Sequence, residues 1–426
     1  MKRVVILCVW LFSVVAGHAQ LSLDECRRLA RENYPEIRQY DLVHQTEQYN
    51  LSNAARAWIP QLAFSAQATW QTDAPNFPKE LTGMLAQQGL EIPGLRKDQY
   101  KVALELNQTI WDGGKSVADK RIARAEAAEQ KTMTDVDLYE LEGRVDDLYF
   151  GILLLDERIA QTNLTLNLLR SNLEKVRALQ RNGVAMQSDA DVLEAELLSV
   201  GQQLIQFESS CDSYRRMLGI FIGQKVGDRK LQHPSAVQPL SGESARPELA
   251  MFAAKIDRLT AQEKVVKSSS MPRLGFFAQG YYGYPGLDYM QSMMNNDWSW
   301  NAMLGVKLSW NFGAYYTQKN NLNKLRTSRQ QVEVQRDVFL FNMNLQAAQE
   351  NGDIARLRKA IADDDRIVAL RRSVREAAES KLRNGIIDTH DLLSKITDES
   401  TASMARSMRE IELLKAIYEY KHTINR

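Results

Sequence analysis

The fold is decided by residues 138–183, which read LYELEGRVDDLYFGILLLDERIAQTNLTLNLLRSNLEKVRALQRNG. Apolar residues recur in this stretch at alternating steps of three and four, the spacing that predicts one face of a coiled-coil helix. Such a face needs a second helix to cover it, and the glycine at the end of the stretch predicts a turn at which the chain reverses. The face comprises Leu138, Leu141, Val145, Leu148, Ile152, Leu155, Ile159, Thr162, Leu166, Leu169, Leu173 and Val176.

The residues after the turn predict the partner helix. Apolar residues continue at the same spacing, so the two segments form an antiparallel helical hairpin with its tip near residue 183. We expect Ser188 with Asp191 to cap the start of the returning helix, because side-chain oxygens accept hydrogen bonds from its free backbone amides. The apolar set is Leu193, Leu197, Val200, Leu204, Phe207, Cys211, Tyr214, Leu218 and Phe221.

The chain repeats this design about two hundred residues later. No proline occurs between Pro93 and Pro234 or after Pro285, as very long helices require, since an interior proline costs about 3 kcal/mol. We predict two structural repeats, 20–223 and 247–426, joined by a linker at 224–246. The matched segments are Arg181-Asn182-Gly183 with Arg383-Asn384-Gly385, Trp111-Asp112-Gly113-Gly114 with Trp310-Asn311-Phe312-Gly313, and Trp58–Leu62 with Ser270–Leu274.

Four segments predict β-strands, at about 60–72, 99–111, 273–284 and 299–312. From Trp300 to Trp310 every second residue is apolar and those between are mostly small or polar, a pattern typical of membrane-barrel strands. Tryptophan and tyrosine cluster at the strand ends, where an aromatic belt would lie at the membrane interface. A soluble sheet with one buried face is the alternative interpretation.

Four strands are too few to close a barrel with a lumen, and open sheet edges are not tolerated in lipid. The barrel must therefore be shared between chains. Three copies would supply twelve strands, so the predicted fold is mainly α, with duplicated coiled-coil hairpins and four strands per chain that complete a trimeric β-barrel.

The first nineteen residues predict a signal peptide. Lys2 and Arg3 precede an apolar run that is too short to span a bilayer, and small residues lead to a cleavage site before Gln20. Without those two basic residues, acidic and basic side chains nearly balance, which disfavours nucleic-acid binding. The mature chain is expected to be exported.

Neither catalysis nor a cofactor or metal site is predicted. The histidines are scattered without metal-ligand spacing, and no nucleophile or phosphate-binding motif occurs. Cys26 and Cys211 both lie on three-four faces at heights that helix geometry places close together, so a disulfide between them is left open, with plain core packing as the alternative.

As an ordered set, these features resemble the TolC family of outer-membrane efflux proteins. The residues that carry the resemblance are the export signal, Leu21–Glu25 and Asn33–Glu36 of the opening helix, Pro60, Asp112-Gly113-Gly114, and the tip glycines Gly183 and Gly385. The resemblance implies a homotrimer in the outer membrane of a Gram-negative bacterium, in contact with outer-membrane lipid. It also implies a coiled-coil α-barrel that crosses the periplasm.

The same resemblance implies a function. The chain would form the channel-tunnel of a tripartite efflux or type I secretion system, a passive export duct. It would dock to a periplasmic adaptor (membrane fusion) protein and to an inner-membrane pump of RND or ABC type. The tip turns with Asn182, Gly183, Asn384 and Gly385 would be the docking points.

The family narrows its periplasmic end with acidic residues after the second tip turn. Asp391 stands at the matching distance from Gly385, with Asp388 and His390 beside it, so these residues are the candidate aperture. A helix cap is the other interpretation of Asp391, and it is the favoured one for Asp189. Ser394 and Ile387 replace a second aspartate and a gating arginine of some members.

A periplasmic coiled-coil scaffold or adhesin without a pore is the alternative function. Whether the strands enter lipid separates the two. The sequence leaves the cargo open, because a wide duct contacts its cargo loosely: drugs, metal ions and polypeptides all fit.

Overall fold

A computed structural model of the chain describes residues 20–235 and 244–425. The predicted signal peptide, residues 1–19, lies outside the described residues. The chain divides into two compact units, each of which draws on both predicted repeats. We call Met1–Gln39, Met133–Ala250 and Arg336–Arg426 the helical unit, and Tyr40–Thr132 with Met251–Gln335 the sheet unit.

Two helices are far longer than the others. α4 has 67 residues and α8 has 70, roughly 100 Å each at 1.5 Å per residue. Across 20–235 and 244–425, no helix is both long and apolar enough to cross a membrane. The helices are α1 (Leu23–Asn33), α2 (Gln39–Arg56), α3 (Lys79–Gln87), α4 (Lys115–Arg181), α5 (Gln187–Ile222), α6 (Pro247–Ser268), α7 (Tyr289–Asn295), α8 (Ala314–Arg383) and α9 (Thr389–Ile424).

The strands form one antiparallel sheet in the order β1-β2-β3-β4, which confirms the four predicted strands. Neighbouring strands pair along nearly their whole length, with one irregularity between Thr109 and Trp111. The strands are β1 (Gln61–Trp70), β2 (Asp98–Trp111), β3 (Arg273–Tyr284) and β4 (Ser299–Ser309).

Ten of the twelve residues of the coiled-coil face predicted on α4 are buried, and Leu155 and Ile159 are half-buried. Leu138, Leu141 and Val145 are fully buried near its middle, and Leu169 and Val176 are nearly so towards its end. The last part of the face packs in one cluster with apolar residues of α5, which confirms the predicted helical hairpin.

The N-terminal helix is anchored to the middle of α4. Arg27 Nε of α1 donates a hydrogen bond of 2.7 Å to Asp146 Oδ1. The hydroxyl of Tyr149 lies 2.8 Å from the carbonyl oxygen of Leu21 and 2.6 Å from that of Gln232, so it holds two segments at once. Because Tyr149 is fully buried, its hydroxyl cannot hydrogen-bond to bulk water instead. These two contacts therefore fix both segments on α4.

The disulfide left open between Cys26 and Cys211 is not formed: both are free, buried thiols. Cys26 is the neighbour of Arg27, which contacts Asp146 of α4, whereas Cys211 Sγ lies 3.3 Å from Asp156 Oδ1. These two contacts on α4 are ten residues apart, or about 15 Å along the helix. Burial raises the pKa of the Cys26 thiol to about 12, which makes it unreactive.

Candidate channel wall and helical tip

One face of the sheet is apolar and exposed. The strand register places Phe64 opposite Leu104 and Tyr282 opposite Trp300, so the apolar side chains form continuous rows. Phe64 is 72% exposed and Trp300 is 82% exposed within the chain. A contiguous apolar surface of this kind marks a contact with something other than water. The rows include Leu62, Phe64, Trp70, Val102, Leu104, Tyr282, Trp300, Leu304, Val306 and Leu308.

The opposite face of the sheet is polar. Lys101 Nζ donates a hydrogen bond of 2.9 Å to Gln279 Oε1, and the amide nitrogen of Gln279 donates to Glu105. The Lys101 ammonium also lies 4.6 Å from the centre of the Tyr281 ring, on the same face. The alternation of apolar and polar residues predicted from the sequence thus separates a polar face of the sheet from an apolar one.

Both edges of the sheet are open. β1 and β4 are the outer strands, and neither has a further pairing partner among the described residues. Open edges of ten or more residues present unpaired backbone donors and acceptors, with which a strand of another chain can pair.

Aromatic rings gather at one end of the strands. Trp298 stacks on Tyr100 at a centroid distance of 5.5 Å, and Tyr282 lies 5.0 Å from Trp300. Trp310 packs against Phe312 near the other end, and its indole nitrogen donates to the carbonyl oxygen of Ser270 at 3.0 Å. Rings with a polar handle at both strand ends are typical of membrane interfaces.

The two predicted tip turns in the helical unit have the same backbone structure. Gly183 and Gly385 adopt φ values of +73° and +66°, in the left-handed region that favours glycine. At the first turn the N–H groups of Gly183 and Val184 donate to the carbonyls of Gln180 and Leu179. At the second turn, the N–H groups of the residues at 385 and 386 donate to those at 382 and 381. This pair of hydrogen bonds is the Schellman motif that ends helices. It places Asn182 and Asn384 at equivalent, exposed positions.

The candidate aperture residues begin α9. Asp388 is the helix cap: its carboxylate accepts the N–H of Asp391 at 2.8 Å. The side chains of Asp388, His390 and Asp391 are all exposed. The cap uses the Asp391 backbone N–H, and its carboxylate makes no hydrogen bond within the described residues. Three neighbouring polar groups therefore face solvent at the second tip.

The cap predicted at the first tip is wrong in detail. α5 begins at Gln187, and Asp189 rather than Ser188 supplies the acceptor, because its carboxylate accepts the N–H of Met186 at 2.8 Å. The interpretation of Asp189 as a cap is confirmed. Asp191 instead accepts a hydrogen bond from the side chain of Gln187.

The tips of the two hairpins share one core. Ile387, which takes the place of the gating arginine of some members, packs against this cluster and is half-buried. Ile387 therefore contributes to the core, and its position supplies no salt bridge at the tip. The cluster consists of Leu166, Leu169, Leu173, Val176, Ala190, Leu193, Val200, Ala378, Leu392 and Ile396.

The sequence of the first repeat identifies the family. Residues 27–223 match the model of a family described as outer membrane efflux protein. This segment carries the sequence pattern of that family. No curated protein matches the chain by sequence alone.

The fold is that of solved outer-membrane channels. The outer-membrane channel OprN has 14% sequence identity and a TM-score of 0.70, with 94% of this chain and 89% of that chain covered. VceC from Vibrio cholerae has 15% identity and a TM-score of 0.66, with 94% and 95% covered. The CmeC outer membrane channel of Campylobacter jejuni has 14% identity and a TM-score of 0.65, with 94% and 85% covered. At such identities the likeness establishes the fold alone.

Sequence reasoning missed an ion-pair network near the tips. Glu379 of α8 accepts from Lys175 of α4 at 3.3 Å and is also paired with Arg375. Arg375 is paired in turn with Glu399 of α9. Arg375 and Glu379 are four residues apart, a spacing that predicts an ion pair along one helix. The pairs between different helices cannot be recognised from sequence spacing. In the described ranges, no group of His, Cys, Asp and Glu side chains could hold a metal ion.

Proposed function

We propose that the chain is one subunit of a trimeric outer-membrane channel that serves as a passive export duct. The sheet carries this proposal, because it combines an exposed apolar face, a polar face and two open edges. Lipid would cover the apolar face, neighbouring copies would pair with the edges, and the polar face would line a water-filled lumen. Three chains would supply a twelve-stranded barrel. The match of residues 27–223 to the outer membrane efflux protein family supports the direction of transport.

The helical tips are the proposed docking points for a periplasmic adaptor protein and, through it, an inner-membrane pump of RND or ABC type. Each tip glycine is followed by an exposed apolar residue: Val184 is 68% exposed and Ile386 is 67% exposed. Apolar side chains held at an exposed turn suit contact with another protein. Asn182 and Asn384 flank these residues and supply polar groups beside them.

The first test is the number of chains in the detergent-solubilised protein. Because open edges must be paired in lipid, we expect light scattering to report three chains and no stable folded monomer. The purified protein should also conduct ions in planar bilayers. A monodisperse folded monomer without conductance, extracted without detergent, would instead support the periplasmic scaffold or adhesin.

The second test concerns the aperture. If Asp391 of three chains lines the narrow end of the duct, its carboxylates attract cations. We expect Asp391→Asn to shift the reversal potential in a salt gradient towards anions and to weaken block by polyvalent cations. Asp189→Asn is the control, because Asp189 caps α5 and should change stability rather than selectivity. Unchanged selectivity in Asp391→Asn would leave this residue with no role at the aperture.

A further inference from the structure

The polar face of the sheet carries more positive than negative charge. Its charged strand residues are Lys101, Glu105, Arg273 and Lys307, which the strand register places on the same side. Three basic side chains thus face one acidic side chain. The whole chain is almost balanced, with 54 lysines and arginines against 53 acidic residues, so this excess is a local property of the sheet.

Two of the basic residues lie close together at one end of the strands. Lys307 is opposite Gly275, and Arg273 is opposite Ser309, one step further along the same face. Glycine and serine leave the space around both side chains open, and both are exposed. A cavity of about 660 Å³ is lined by Arg273 and Lys307 together with three acidic residues.

Each of those acids has a hydrogen-bond or ion-pair partner other than Arg273 and Lys307. Glu105 accepts from the side chain of Gln279, and Asp119 is paired with Lys115 at 2.5 Å. Asp112 accepts the backbone N–H groups at 114 and 116, at 2.9 and 2.6 Å. No ion pair of Arg273 or Lys307 is present among the described residues. Glu105 and Asp112 keep their negative charges, because their hydrogen-bond donors are neutral. With Lys101 and Lys115 included, this face and its cavity carry four basic and three acidic side chains, an excess of one positive charge per chain.

A neighbouring copy would not neutralise this excess positive charge through its edge strand. Lys307 lies on β4, an outer strand, whose free edge would pair with β1 of the next chain in a closed barrel. β1 reads QLAFSAQATW and contains no charged residue. The positive charge would consequently persist in the assembled wall.

We propose that Arg273 and Lys307 are selectivity-determining residues that form an anion-attracting ring on the lumen wall of the barrel. This inference rests on the proposed function, because it needs three copies around one lumen. Fixed charges of one sign on the wall of a narrow aqueous path raise the local concentration of ions of the opposite sign. Small molecules that carry phosphate or carboxylate groups would be enriched at this level.

The experiment measures reversal potentials of the full-length channel in a potassium chloride gradient. We expect the double variant R273Q/K307Q to lower the chloride-to-potassium permeability ratio about two- to tenfold in 0.1 M salt. Block by inorganic triphosphate should weaken in the same variant. The difference in permeability ratio between this variant and the unmodified channel should become smaller in 1 M salt, where charges are screened beyond about 3 Å.

Two control variants separate charge from structure. R273K/K307R keeps both charges and should retain the selectivity and the triphosphate block. K225Q/K230Q removes two exposed lysines outside the sheet and should leave both readouts unchanged. A conducting R273Q/K307Q channel with the selectivity and block of the unmodified protein would overturn the inference while leaving the proposed function intact. Absence of conductance in the unmodified protein would overturn the proposed function, and the inference with it.

Discussion

Replacing Gly113 by alanine is expected to destabilise the corner between β2 and α4 by about 3 kcal/mol, because two penalties add. Gly113 adopts a φ of +70°, which costs roughly 1–2 kcal/mol for a residue with a Cβ. A Cβ at this position would also lie 2.5 Å from the Met271 Cβ and 3.0 Å from the carbonyl oxygen of Pro272. Neither atom is the end of a flexible side chain, so the backbone itself must move.

The adjacent residue provides a matched control. Gly114 has a φ of +83°, but a Cβ there would meet no atom within 4 Å. Gly114→Ala should therefore carry the conformational penalty alone, roughly 1–2 kcal/mol. Thermal unfolding in detergent, followed by circular dichroism, compares the two variants. Equal melting temperatures would show that the close approach to Met271 is relieved without cost.

The sequence predicted the long helices well where both partners lie in the same chain. The face of α4 from Leu138 to Val176 is buried because α5 and neighbouring helices of this chain cover it. The apolar residues of α8 are covered less evenly: Ile354 and Leu357 are buried, but Leu370 is 58% exposed. A three-four spacing shows that a face has a partner, and does not show which chain supplies that partner.

The candidate site was predicted unevenly for a similar reason. The tip turns follow from local rules, since glycine at a helix end is favoured by its own backbone freedom. The network between Arg375 and Glu399 spans 24 residues and depends on the register between two helices. That register follows from the length of the turn and the packing of Ile387 and Leu392, neither of which local spacing determines. The excess of positive charge on the sheet likewise became visible only when the strands were aligned.

Replacing Glu399 by alanine should destabilise the tip region by about 3 kcal/mol, because it leaves buried positive charge without its partner. Glu399 is 8% exposed and accepts hydrogen bonds from Arg375 and, at 3.2 Å, from Arg372. The side chain of Arg375 is itself only 12% exposed, so water cannot replace the lost carboxylate. Glu379 remains as a second partner for Arg375, which limits the effect.

Asp398 offers the matched control, one residue away on the same helix. It pairs with Arg371 at 2.7 Å, but the two side chains are 37% and 48% exposed, so Asp398→Ala should cost less than about 1 kcal/mol. The urea midpoint of α-helical unfolding in detergent measures both variants. We expect Glu399→Ala to unfold at clearly lower urea than Asp398→Ala, and raised salt to shrink only the small effect at Asp398, because an exposed pair is screened and a buried one is not. Equal midpoints would mean that Arg375 is satisfied by Glu379 alone and that the Glu399 pair does not hold α8 against α9.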